Sequence, residues 1–261
     1  MKLIFITFLL LLGTSSYAQD KTWNDFASIL KIGVVELKYS GEHGEFYHNA
    51  FDYQKVKNNR DAGKLLEAQK QLLKSTKIPS NRYDKLSFLI NAYNFFTVVD
   101  VVNNLPVKSM KDIGWKNKRH NIGGSNYSLD QIEHEMIRPM GDARIHFAVN
   151  CASVSCPGLK SLPFTGDNIR VELAEQTKDA LKNPLHIQPD WNGDVKVTKL
   201  FDWFGKDFKG GQHKTAEGFL KKYAPVKLQK EIDGWLKYDW DLNSPEKVKK
   251  AMSRFKVKLI N

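Results

Sequence analysis

Both cysteines of this 261-residue chain fall within eight positions, Asn150-Cys151-Ala152-Ser153-Val154-Ser155-Cys156-Pro157. Glu133 and His134 lie upstream in Ile132-Glu133-His134-Glu135, and His146 stands between the two groups. A cysteine becomes a working nucleophile when a base or cation lowers its thiol pKa, and that base needs a carboxylate or amide to orient it. Cys151, His134, Glu133 and His146 therefore form a candidate set for thiol catalysis, with Cys151 as nucleophile and His134 as base. Glu133 points roughly 100° away from His134 on a helix, so it is free to orient a different group. The same cysteines admit a second reading, a local Cys151–Cys156 disulfide stapling a bent loop in an oxidising compartment. A third reading is a redox pair, against which the absence of C-x-x-C argues.

Asn91 and Asn94, in Asn91-Ala92-Tyr93-Asn94, are one helical turn apart within the most apolar segment of the chain. A buried amide must be hydrogen-bonded. Each Asn either ties a neighbouring loop to the helix or takes a catalytic part, orienting the base or binding a developing oxyanion. Nothing in the sequence calls for a metal or cofactor. His134-Glu135-Met136-Ile137-Arg138 has Arg where a zinc-protease helix needs His. His43 and His48 read better as isolated surface histidines than as ligands. Gly123-Gly124 and Gly210-Gly211 lack the spacing of phosphate loops.

The elements that must hold these groups follow from periodicity and punctuation. Helices are predicted from Asn24, from Ala62 to Leu73, and from Tyr83 to Asn104, the last buried and central, capped after Ile78-Pro79-Ser80-Asn81. Residues 46–56 read as aromatic and irregular. His120–Tyr127 reads as a hairpin turning at Gly123-Gly124. Ser128-Leu129-Asp130-Gln131 caps a helix over Ile132–Arg138 that Pro139 ends. Arg144–Val149 alternates and is rich in β-formers, which predicts a strand leading into Cys151. Residues 151–163 read as loop and 167–182 as helix. His186-Ile187 and Val195–Val197 read as a hairpin around Asn192-Gly193, followed by short helices at 200–208 and 216–223. The expected fold class is α+β: one mostly helical domain over residues 19–261 with short strands and hairpins.

The order of these motifs resembles the "domain of unknown function 547" family. Phe88–Asn94, Ile132-Glu133-His134 and Ile145–Pro157 carry the resemblance, and Leu200–Phe208 and Tyr238–Asn243 look like its C-terminal landmarks. It covers roughly residues 45–244. The family carries no settled activity. Its pattern keeps the Asn-Ala-Tyr-Asn and Ile-Glu-His positions and the first cysteine, while the positions of Cys156 and His146 vary. The resemblance thus favours Cys151 and His134 over Cys156 and His146.

The first 18 residues, MKLIFITFLLLLGTSSYA, combine a lysine, a short apolar run and an A-x-A-like Ser16-Tyr17-Ala18, which predicts a cleaved signal peptide and an exported, periplasmic or secreted chain. No later stretch is expected to span a bilayer. With 41% hydrophobic residues the chain is not disordered along its length, and two cysteines exclude a disulfide scaffold. The net charge of +11 reads as a solvated basic surface or as attraction to anionic envelope polymers, and no nucleic-acid motif accompanies it. Two functions remain in view. One is a papain- or transglutaminase-like hydrolase or acyl transferase acting on peptide-like envelope substrates. The other is a non-catalytic peptide- or glycan-binding module with Trp115, Trp203 and Phe204 as a stacking surface.

Overall fold

The structure is a computed structural model that describes residues 21–190, 194–210, 213–225 and 232–260. The predicted signal peptide and the predicted turn at Asn192-Gly193 lie outside the described residues. Helix α1 spans Asn24–Gly33 and buries Phe26, Ile29 and Leu30. Strands β1 (Val34–Val35) and β4 (Ala50–Phe51) pair antiparallel around the hairpin of β2 (Lys38–Gly41) and β3 (Gly44–Tyr47). Segment 46–56 is therefore ordered rather than irregular: it closes β3, forms β4 and opens α2 (Tyr53–Asn58), whose first turn Asp52 caps.

Helix α3 (Arg60–Ser75) buries Ala62, Leu66, Gln69 and Leu73, a single face at 3–4-residue spacing, and Asn59 caps two of its free N–H groups. Helix α4 (Arg82–Asn104) is buried without a break from Leu86 to Val102, and the Asn81 side chain caps it. A helix apolar on all sides belongs in a core. Its length and composition would suit a membrane span, but 94% of its apolar window is buried inside the protein. Packing here outweighs the β-branched Thr97-Val98-Val99 run, and Thr97 Oγ1 donates back to the Tyr93 carbonyl at 2.9 Å.

β5 (His120–Ile122) and β6 (Ser125–Tyr127) form the expected hairpin, with Gly123 and Gly124 both at positive φ, 59° and 85°. Ser128 and Gln131 then make a reciprocal capping box at α5 (Leu129–Gln131). The chain continues as a π-helical turn over Ile132–Ile137 and a 3₁₀ turn over Arg138–Met140 that contains Pro139. The Arg138 N–H bonds the Glu133 carbonyl, one residue further back than an α-helix would allow.

The predicted strand at 144–149 is a 3₁₀ helix, Ala143–Phe147, capped by Asp142. The physical reason lies in burial. Ile145, His146 and Phe147 are all buried in succession, so the segment is enclosed on every side and has no wet face to alternate with. Helix α6 (Ile169–Ala180) follows the cysteine loop. β7 (Ile187–Pro189) and β8 (Val195–Val197) pair antiparallel, and β9 (Ile232–Trp235) joins β8 in parallel. Helices α7 (Leu200–Trp203), α8 (Gly205–Phe208) and α9 (Ala216–Tyr223) pack Phe201, Phe208 and Phe219 around Phe147. α10 (Pro245–Met252) and β10 (Lys258–Leu259) close against the β2–β3 hairpin. The result is mixed α+β, helices dominant, with four small sheets of two or three strands among the described residues.

Candidate active site

The loop after the 3₁₀ helix is held from three sides. The Asn150 side chain donates to the Pro157 carbonyl (2.7 Å) and accepts from the Ala152 N–H (2.9 Å), so it closes the loop on itself. Ala152 takes the left-handed conformation, φ 62°, which bends the chain between the two cysteines. The segment 238–243 zips alongside: the Val154 and Ser155 N–H groups donate to the Asp241 and Asp239 carbonyls, and the Asp239 N–H donates to Ser155 Oγ.

This bend brings the Cys151 and Cys156 sulfurs to 2.6 Å, both as free thiols. The Cys151 N–H donates to Cys156 Sγ (2.9 Å), and the Tyr238 hydroxyl lies 3.2 Å from Cys151 Sγ. Hydrogen bonding from the Cys156 thiol does most to pull the Cys151 thiol pKa down; burial opposes it, and Ser153 and Tyr238 add to the lowering. Burial pushes the Cys156 thiol well up, and its bond to Cys151 pushes it further. Cys151 is partly exposed and Cys156 is 3% exposed.

Cys151 faces a cavity of about 210 Å³ that Glu133, His134 and His146 also line. Trp115, Trp203, Phe204, Tyr238 and Trp240 supply aromatic walls, and Trp203 and Trp240 stack at 5.4 Å. His134 makes no hydrogen bond to Cys151. Arg138 donates to its Nδ1 at 3.1 Å, which leaves the ring proton on Nε2, 3.7 Å from Asp130. Glu133 is buried; desolvation raises its carboxyl pKa against the opposing His134 charge and a hydrogen bond from Tyr93. His146 donates from Nε2 to Asp207 (2.8 Å) and stacks on Phe204 (4.1 Å), and its Nδ1 is buried without a partner. Burial lowers the His146 pKa despite Asp207. Burial raises the Asp207 carboxyl, but hydrogen bonds from His146 and Arg138 outweigh it and hold it well below the usual range.

Asn91 and Asn94 are engaged elsewhere. Asn91 makes a two-way bond with the Phe164 backbone, at 2.8 and 2.9 Å. Asn94 donates to the Ala148 carbonyl (3.0 Å) and accepts from the Asn150 N–H (2.8 Å), so it anchors the approach to Cys151. Neither lines the cavity.

Residues 79–180 match the model of the family described as "Protein of unknown function, DUF547". Over that segment, which is less than half of the chain, the sequence is similar to DUF547. No curated protein and no solved structure in the comparison matches the chain.

The DUF547 segment contains Asn91, Asn94, Glu133, His134, His146, Cys151 and Cys156. Trp203, Phe204, Tyr238 and Trp240, which complete the cavity, lie beyond it, as does Asp207, the partner of His146. Tyr238, Asp207 and Arg138 were not among the residues that sequence spacing singled out. Only the landmark strings around residues 200–208 and 238–243 pointed toward two of them. Among the described residues no group of three or more His, Cys, Asp or Glu is placed to hold a metal. His48 is not a surface residue; it is 1% exposed, with Nε2 3.1 Å from the Val154 carbonyl.

Proposed function

We propose that the cavity is a thiol-dependent acyl-transfer or hydrolytic site acting on peptide-like substrates outside the cytoplasm. The observation that carries this reading is a partly exposed Cys151 thiol, its pKa lowered by fixed hydrogen bonds, on the wall of a cavity that it shares with His134. A thiol so lowered is substantially ionised near neutral pH and needs no base to activate it. Because its Nδ1 accepts from Arg138, His134 is a neutral Nε2–H hydrogen-bond donor toward the developing oxyanion rather than the base.

The Cys151 sulfur attacks the substrate carbonyl carbon, and the electron pair moves onto the carbonyl oxygen. Collapse of that oxyanion, which the His134 Nε2–H stabilises as a hydrogen-bond donor, breaks the bond to the leaving amine or alcohol, which takes its proton from solvent water. Water or an acceptor amine then releases the acyl group from sulfur. The aromatic walls suit apolar or aromatic side chains, and the same walls support the second reading, binding without turnover, in which the missing Cys151–His134 bond is no defect.

A panel of activated peptide esters separates the two. Wild type should form an acyl adduct on Cys151 and turn it over, and His134→Ala should form the same adduct about 100-fold more slowly. Ligand binding with no adduct at any pH favours the binding module. Export rests on residues 1–18; the mass of exported material should begin at Gln19, and retention of Met1 there would overturn it.

A further inference from the structure

The two cysteines differ in every respect that a dithiol exchange reaction uses. Both line the cavity, but Cys151 is partly exposed and Cys156 is buried. Their sulfurs are 2.6 Å apart, within reach of each other without any movement of the loop. The C-x-x-C spacing is absent, but the left-handed Ala152 performs the turn that a shorter motif would make, and Asn150 locks it. We infer that Cys151 and Cys156 form a working dithiol, in which Cys151 attacks a peptide disulfide presented in the aromatic cavity and Cys156 resolves the mixed disulfide. This goes beyond acyl transfer and shares only the attacking atom with it.

The Cys151 thiolate attacks one sulfur of the substrate disulfide, and that S–S bond breaks. The departing sulfur leaves as a thiolate with the bonding pair and takes the Cys156 proton. The Cys156 thiolate, stabilised by the Cys151 N–H at 2.9 Å, then attacks Cys151 Sγ. The second substrate sulfur is expelled with its electron pair and is protonated by solvent. Two electrons pass from the cysteine pair to the substrate, which leaves as two thiols, and an external dithiol reductant resets the pair. The contrast between the two thiols supports these roles: the lowered one attacks, and the raised one carries the proton until resolution.

The test uses a fluorescence-quenched peptide disulfide with aromatic flanking residues, and excess dithiothreitol. Wild type should exceed dithiothreitol alone by about tenfold or more, with many turnovers. Cys151→Ser should be inert. In a single-turnover arm without dithiothreitol, Cys156→Ser, or Cys156→Ala where Ser does not fold, should stop at the mixed disulfide on Cys151, visible by intact mass, while reduced wild type goes on to the Cys151–Cys156 disulfide. A wild-type rate no better than dithiothreitol, a Cys156 variant that releases both substrate thiols in the arm without dithiothreitol, or a first adduct on Cys156 overturns the proposal. The same variants are assayed with the activated ester. Wild-type turnover of both substrates, with the Cys156 variant arrested at the mixed disulfide, upholds both activities. Disulfide turnover without any ester turnover in wild type removes only acyl transfer.

Discussion

The Tyr238 hydroxyl lies 3.2 Å from the Cys151 sulfur across 87 positions of sequence. The contact exists because segment 238–243 runs beside the cysteine loop and bonds to it at the Val154 and Ser155 N–H groups and at Ser155 Oγ. A thiolate held by hydroxyl and thiol donors loses stability when a donor is removed. Tyr238→Phe should therefore raise the Cys151 pKa and slow alkylation at mildly acid pH about tenfold, the equivalent of one hydrogen bond to a charged group. His134→Ala should leave the alkylation midpoint near wild type. A midpoint that ignores Tyr238 but follows His134 would return the activating role to the histidine.

That pair also marks where sequence reasoning stops. The buried helix α4, the Gly123-Gly124 hairpin and the Ser128–Gln131 capping box are local and were legible, because caps, turns and periodicity act within a few residues. Cys151, His134, Glu133 and His146 were legible as a cluster, and all four reach one cavity. Their pairings were not. His146 bonds to Asp207 and Cys151 to Tyr238, contacts over 61 and 87 positions that no local pattern encodes. The strand expected at 144–149 failed for a related reason: burial on all sides made a 3₁₀ turn look like a β-rich run.

Asn91 and Asn94 should matter first to stability. Each makes two bonds to the backbone of a loop from within the buried helix. Truncation leaves those backbone groups unsatisfied, at about 2 kcal/mol per site. The melting temperature should fall by about 4–8 °C for either alanine variant. Asn94→Ala should also disturb Cys151 alkylation, since Asn94 holds the Asn150 N–H, while Asn91→Ala should leave it unchanged. Unaltered melting in both variants would contradict the anchoring role.

Acid should unfold the protein partly through His48 and His186. Both are buried, with rings 6.0 Å apart, and both nitrogens of His186 lack partners. Burial lowers the His48 pKa to about 4 and the His186 pKa to about 3. In the unfolded chain both return to about 6.5, so below that pH the unfolded state binds more protons. Their contribution is complete above about pH 6.5 and declines as pH falls toward the folded values, by up to about 1.4 kcal/mol per pH unit for each histidine. Urea midpoints at pH 7 and pH 5 should separate clearly for wild type and less for His186→Phe. Equal separation in the two proteins would remove His186 as a cause.

Ala152 tests whether the bend between the cysteines sets their chemistry. It is fully buried at φ 62°, a region that costs any residue with a side chain roughly 1–2 kcal/mol. A β-branched side chain fits that conformation worse, and extra methyl groups in a filled site cost about 1–3 kcal/mol more. Ala152→Val should lower the melting temperature and, by opening the turn, separate the sulfurs. The Cys151 alkylation midpoint should then move up toward the ordinary thiol range. Ala152→Gly relieves the backbone and loses one buried methyl, two effects of similar size and opposite sign. It should keep both the stability and the lowered thiol. If Ala152→Val leaves the midpoint where it is, the lowering does not depend on the Cys156 contact that this turn creates.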